Sequence, residues 1–436
     1  MHHARFASFL ASGALFAACL AACGGEVPAT TPDGGGGAGG AGSGGGATGG
    51  GGAGGGVPAD CTVVVQPSAD DTTTLQTAFA QAQANDVICL AAGTYKPKAE
   101  LSLNKLGVTL KGIGATREDV VLDFAEQIVD DDSMSVTSDG FTIEKLTIKN
   151  SPNNGIVVNG AEDVVFRDLK VSWDAGPSSE NGAYAVYPVG CTKVLVEDCE
   201  VTAAADAGIY VGQSDQIIVR NNEVYQNVAG IEIENSNNAE VYGNKTYDNT
   251  AGILVFVLPN LEKKDGVTCN VHDNEIYDNN HENFAASGIV GSVPKGIGIL
   301  VLAADETEIH DNDLHDNGST AIVVVAHSTL EVLNQDFMSN DPLTDGFPEK
   351  TYIYDNTYTN NGTDIAPILL AVGVNPLPDI VWDGCESAMD TGELCLSMTP
   401  HTSFVNATCN LGNPPDYTTD TAPFVCDHPM QAPITL

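Results

Sequence analysis

The chain has 436 residues, of which 58 are acidic and 17 basic, giving a formal net charge of −41 at pH 7. Such a surplus of negative charge excludes nucleic acid as a partner and adsorption to anionic lipid, because both would repel it. Eleven cysteines and 47 glycines are distributed unevenly, so the segments differ in kind.

Residues 1–22 hold Arg5, an apolar run over 6–20 and the tetrad Leu20, Ala21, Ala22, Cys23, which resembles the bacterial lipobox. The run is too short to span a bilayer alone. The resemblance implies a signal peptide and a lipid on Cys23. Gly24 after it, rather than Asp, resembles an outer-membrane sorting signal, so the expectation is an outer-membrane lipoprotein, periplasmic or cell-surface exposed. The membrane is then a partner through the lipid anchor only. Residues 23–57 are mostly Gly with scattered small residues, a flexible tether. About 35 residues of this composition reach about 30–35 Å.

The folded part is expected to start near Val57 and to form a solenoid over 58–375. Apolar residues at Leu75, Ala78, Phe79 and Ala82 have helical spacing, with Thr72 and Thr73 as N-cap candidates. This short helix reads as a lid over the open end of the core. Strand-like segments follow at 87–90, 93–95 and 107–112.

One unit then repeats over 207–256. Gly208, Gly230 and Gly252 stand 22 residues apart, each leading an alternating segment (Ile209/Val211, Ile231/Ile233, Ile253/Val255). A second phrase carries asparagines at two fixed offsets, Asn222/Asn227, Asn244/Asn249, Asn274/Asn279, Asn312/Asn317 and Asn356/Asn361. A 22-residue period is too short for a helix pair or a propeller blade and fits a parallel β-helix. Stacked asparagines satisfy the polar groups that tight turns would otherwise bury unpaired. Positions equivalent to Val219 are Ile143, Phe166, Val196, Val241, Val271, Ile309 and Ile353; Leu146, Leu169 and Cys199 hold the asparagine position in earlier coils, so the ladder begins at Asn222.

With its opening at 87–112, the chain resembles the pectate-lyase-like superfamily. The expected class is all-β, a right-handed single-stranded parallel β-helix. The phrases Tyr187-Pro188-Val189, 206–214, 229–236 and 252–256 resemble more closely a family of exported bacterial parallel β-helix repeat proteins. That likeness covers roughly 107–370, implies fold and export, and brings no reaction with it.

Residues 376–436 form a loop-rich cap holding Cys385, Cys395, Cys409 and Cys426, expected in two disulfides of undetermined connectivity. Cys61 and Cys89 are a third candidate pair. Nine cysteines follow Cys23, so at least one thiol is free, with Cys269 the candidate.

The candidate site is the outward side of the Gly-led strand, where Tyr187, Tyr210 and Glu232 fall on consecutive coils. Glu234 and Asp206 complete a catalytic set of two tyrosines and three carboxylates suited to acid–base work on sugars. Gln213, Asn235, Lys263 and Lys264 are the substrate-binding candidates, with loops 172–182, 257–266 and 280–296 around them. Superfamily members commonly bind substrate across this face. The glycan expected there lies along the coil axis over Tyr187, Tyr210 and Glu232. Asp273, Asp311 and Asp355 occupy one register position, as do Asp248, Asp278 and Asp316; calcium is the cofactor such rows would hold. Outward rows Tyr225/Tyr247/Tyr277/His315 and Arg220/Tyr242/His272/His310/Tyr354 offer rings for sugar stacking. His272 and His310 are also transition-metal candidates. The functional expectation is a monomer that binds and processes a polysaccharide as lyase, epimerase or hydrolase. The alternatives are a non-catalytic binding or structural solenoid and a periplasmic metal-delivery β-helix.

Overall fold

The structure, a computed structural model, describes residues 59–334, 337–387, 394–397, 403–411 and 416–436. The lipobox, Cys23 and the tether lie outside the described residues. A full coil is three short strands, as in Ala207–Gly212, Asp215–Arg220 and Glu223–Tyr225, followed one turn later by Ala229–Glu234, Asn237–Tyr242 and Lys245–Tyr247. Every strand pairs in parallel with its counterpart on the next coil. The Gly-led strands form an 11-stranded sheet. The other two columns merge into a 20-stranded sheet because Thr142–Lys149 and Glu162–Ser172 pass through the corner unbroken. The register read from the sequence holds from Ile143 through Phe166, Val196, Val219, Val241, Val271 and Ile309 to Ile353. All of these side chains are buried.

Each corner has its own polar seam. At the first, Asn222 gives its backbone N–H and its side-chain amide to Asn244 Oδ1, at 3.0 and 2.9 Å. Asn244 does the same to Asn274, Asn274 to Asn312 and Asn312 to Asn356. Asn227, Asn249, Asn279, Asn317 and Asn361 repeat the pattern at the second corner. The periodicity did not announce the third seam. There Cys191 N–H donates to Ser214 Oγ and Ser214 N–H to Ser236 Oγ, both at 3.0 Å. The repeated glycine has a packing reason: a Cβ on Gly230 would lie 3.0 Å from Asn249 Nδ2 and 2.5 Å from the Gly252 carbonyl.

The aspartate rows have a conformational cause. Asp273, Asp311 and Asp355 have φ of 53°, 53° and 50°, and Asp248, Asp278 and Asp316 have 52°, 49° and 57°. Asp, Asn and Gly are the residues that tolerate this left-handed turn. Asp273 and Asp311 are more than half exposed and each accepts from the preceding histidine at 2.8 Å. Among the described residues, no group of three or more His, Cys, Asp or Glu is placed to hold a metal ion. Turn geometry accounts for aspartate at Asp273, Asp311 and Asp355, and calcium there stays an expectation.

A single outward row changes character along the helix. Lys111, Glu144, Arg167, Glu197 and Arg220 are register partners on successive coils, linked at 3.2, 3.4, 2.5 and 2.6 Å. Arg220 then donates to Tyr242 Oη, and Tyr242, His272, His310 and Tyr354 stack with centroids 4.7–5.0 Å apart and planes within 10°. Tyr225, Tyr247, Tyr277 and His315 form a second stack. These rings cover one another's faces, so they are not the sugar platforms expected of them.

The N-terminal helix spans Asp71–Gln81 with Leu75 and Phe79 buried, but its cap is Asp70, which accepts from Thr73 N–H, rather than Thr72 or Thr73. Disulfides join Cys61–Cys89, Cys385–Cys409 and Cys395–Cys426, while Cys191, Cys199 and Cys269 are free and buried. The stack continues past the expected boundary at 375, since Ile380–Trp382, Cys395–Leu396 and Phe404–Asn406 add strands to both sheets. No helix among the described residues is long and apolar enough to cross a membrane.

Replacing Asn244 by Leu leaves the Asn222 donors and the Val219 carbonyl without partners, and should cost about 1–3 kcal/mol. Asp313→Asn, on an exposed strand position, should stay within about 0.5 kcal/mol of wild type. Urea unfolding followed by circular dichroism separates the two; equal midpoints would contradict the seam's role.

Candidate functional site

The Gly-led sheet turns one face to the core and the other outward. Strict alternation fails at its start. A Cβ on Gly208 would meet Val224 and Asn227, and the next residue, Ile209, also lies in the core. The equivalent pair one coil earlier is Ala185 and Val186, so Tyr184 and Tyr187, three residues apart, emerge on the same side. Tyr184 was not picked out from the sequence for this reason. With Tyr210 these two rings form a cluster with centroids 4.6, 4.6 and 4.9 Å apart. Gly212 is required beside it, since a Cβ there would lie 2.3 Å from the Tyr210 ring.

Three carboxyls gather against the tyrosines. Tyr210 is paired with Glu232 and Gly212 with Glu234 on the next coil, and Tyr210 Oη donates to Glu234 Oε1 at 2.5 Å. Asp206 immediately precedes the strand, held by its N–H on the Ala183 carbonyl at 3.0 Å, with the Tyr184 hydroxyl beside its carboxyl. Burial, then the nearby Glu234 and Asp206 carboxyls, pushes Glu232 well above the usual carboxylate range. Glu232 lies within hydrogen-bonding reach of Glu234, whose own pKa burial also raises. Glu232 Oε2 has no partner among the described residues. Burial and the Glu234 charge lift Asp206 to about 7. Tyr187 is pushed up to about 12, first by burial and then by Glu234, Asp132 and Asp206. Asp132, also missed from the sequence because it comes from an irregular loop, accepts from Asn153 and Asn154 and is itself raised by burial.

The expected catalytic residues Asp206, Glu232, Glu234, Tyr187 and Tyr210 therefore share one cluster, in two layers. Asp206, Tyr184 and Tyr187 are half-buried, whereas Tyr210, Glu232 and Glu234 are 4 %, 4 % and 7 % exposed. A glycan running on over Tyr210 and Glu232 is not accommodated. Further along, the same outward face is apolar (Leu254, Phe256, Leu300, Leu302), and loop 280–296 packs Val290 and Val293 onto it. A cavity of about 70 Å³ remains there among Phe256, Val293, Leu300 and Leu330.

The substrate-binding candidates serve the 257–266 loop. Asn235 is buried and clamps Leu258 and Lys263 backbone, with bonds of 2.7–3.0 Å. Gln213 accepts from Glu262 and Lys263 N–H, Lys263 Nζ donates to the Ser214 carbonyl and Lys264 pairs with Asp341. Gln213 and Lys263 nonetheless line a polar cavity of about 550 Å³ with Asn159, Val189 and Glu262, at the ends of the strands that carry the tyrosines.

Residues 133–262 and 178–337 match the family model described as "Right handed beta helix region". The fold is a right-handed parallel β-helix. No curated protein sequence matches the chain. Three solved structures are similar to it. The A-module of a mannuronan C-5 epimerase of Azotobacter vinelandii is 17% identical, covering 75% of this chain and 90% of that one, with a TM-score of 0.48. An alginate lyase of Paenibacillus is 15% identical, covering 70% and 99%, at 0.41. An α-1,3-glucanase of Streptomyces thermodiastaticus is 17% identical, covering 77% and 52%, at 0.46. At such identities and scores the likenesses carry no argument about chemistry.

The Asp206 pKa has a consequence for stability. Its folded value, about 7, lies above the ordinary value of about 4, so the folded state holds a proton that the unfolded state releases. The stability it contributes is complete below about pH 4 and lost as pH rises through about 7. Urea midpoints measured across that window should fall with pH in wild type and fall less in Asp206→Asn; parallel curves would contradict the shift.

Proposed function

We propose that this β-helix protein binds a neutral polysaccharide at Tyr184, Tyr187 and Asp206, and that Asp206 donates a proton to a glycosidic oxygen. The observation that carries the reading is a half-buried carboxyl held at about 7 beside two half-buried tyrosines. A general acid needs its pKa near the working pH, and tyrosines bury large flat surfaces while keeping a polar tip. Glu234 acts behind it, raising its pKa rather than touching substrate, and Glu232 is buried against Glu234. Asp132, whose charge also acts on Tyr187, is our candidate for the second carboxyl that glycoside hydrolysis requires. A uronate lyase or epimerase is less well supported, because an anionic sugar would meet the carboxyls of Asp132, Asp206 and Glu234.

One observation favours a second reading, a scaffold without catalysis. Tyr210, Glu232 and Glu234 are nearly inaccessible and largely satisfied by one another. Metal delivery has no such support, since His272 and His310 stack face to face at 5.0 Å. The proposal also includes export and a lipid anchor at Cys23; three disulfides fit an oxidising compartment.

The test is binding and product release on neutral glucans, xylans and mannans, with pectate and alginate as the anionic arm. Wild type should bind and cleave a neutral glycan, with activity falling as pH rises through about 7. Asp206→Asn should lose about 100-fold or more in rate and Tyr187→Ala should weaken binding. Cleavage unaltered in Asp206→Asn would remove the acid; no neutral glycan bound would remove the site.

A further inference from the structure

The last ten residues, DHPMQAPITL over 427–436, form neither helix nor strand. They return over the outward side of the larger sheet. Tyr352 Oη donates to Asp427 at 2.9 Å. Gln431 N–H donates to Glu308 Oε2 at 2.9 Å and its side-chain amide to the Glu306 carbonyl. Ile434 N–H reaches Glu240 Oε2 at 3.3 Å. Glu240, Asn270, Glu308 and Tyr352 are one register row on four successive coils, so the tail crosses them in reverse order of growth.

The spacing and the sidedness of these bonds identify the conformation the row selects. Glu308 and Glu240 stand two coils apart, about 9.6 Å at strand spacing. Their partners, Gln431 and Ile434, are three residues apart. A polyproline II helix advances about 3.1 Å per residue with three residues per turn, so residues three apart face the same way about 9.3 Å on. In a β-strand, residues three apart point to opposite sides. Pro429 and Pro433 fix φ near the polyproline value and restrict the residues before them to extended conformations. Between the two glutamates, Asn270 Oδ1 is buried with no partner among the described residues, an acceptor aimed into the same row. The Tyr242–His272–His310–Tyr354 stack flanks it as an aromatic wall.

We propose that this row is a recognition groove for a proline-containing peptide in the polyproline II conformation, and that the chain's own C-terminal segment is its occupant, held in cis and replaceable by the same segment in trans. Aromatic-lined grooves take such peptides because the conformation is already ordered before binding. The assignment uses no residue of the tyrosine–carboxyl cluster and stands or falls independently of the glycan reading.

The experiment pairs the full chain with a variant lacking 428–436 whose thermal midpoint and circular dichroism match it. A fluorescein-labelled DHPMQAPITL peptide should bind the shortened chain saturably and the full chain hardly at all. Glu308→Gln in the shortened chain should weaken binding about tenfold or more, the loss of one charge-assisted hydrogen bond. A peptide with both prolines changed to glycine should bind more weakly still. Should the shortened chain misfold, a dye on Leu436→Cys in the full chain reports instead, its anisotropy falling in Glu240→Gln/Glu308→Gln. No binding by a folded shortened chain, equal binding of the glycine peptide, or a dye as mobile in wild type as in the double variant would each overturn the proposal.

Discussion

The hydrogen bond from the backbone N–H of one corner asparagine to the Oδ1 of the next coil's asparagine sets the register of the coils from Asn222 to Asn361, and parallel strand pairing carries that register through the earlier ones. It works because a turn on every coil would otherwise bury a donor and an acceptor, and an amide side chain supplies both in the space a glycine leaves open. Net gain per bond is modest, about 0.5–1.5 kcal/mol, yet each forces the next coil into one register. Once register is fixed, a side chain's neighbours are the residues at the same position above and below it.

That constraint turns composition into columns. A chain with 17 basic residues places several of them opposite acids in the Lys111 to Arg220 row, then replaces ion pairs by stacked rings where bases run out. On the Gly-led sheet the same rule places Tyr187, Tyr210 and Glu232 in a column that becomes apolar at Leu254. The carboxyl cluster sits where polar and apolar halves meet. Its low solvation, with like charges in contact, shifts protons that ordinary surface acids would release. The unusual acidity of Asp206 is thus a product of coil stacking rather than of any local motif.

Core, register and asparagine seams were legible because they repeat. Val219 and its equivalents could be aligned by eye, and the ladder's first member, Asn222, was evident from Cys199 standing above it. Features built from unlike residues were not. The Cys191–Ser214–Ser236 seam mixes chemistries, and the ion row joins positions separated by unequal coil lengths. A sequence does not display φ, so the left-handed backbone that favours aspartate at the turns was not legible in it. Tyr184 was hidden by the break in alternation, and the burial of Glu232 and Glu234 by packing on a face that periodicity marks only as outward.

The proposal that a sugar meets a proton donor at the tyrosine–carboxyl cluster is tested most directly by a crystal structure of the chain with a neutral oligosaccharide near pH 7. The account predicts sugar against Tyr184 and Tyr187, with a glycosidic oxygen within hydrogen-bonding distance of the Asp206 carboxyl. Sugar bound elsewhere on the helix, with that corner empty at saturating ligand, would contradict it.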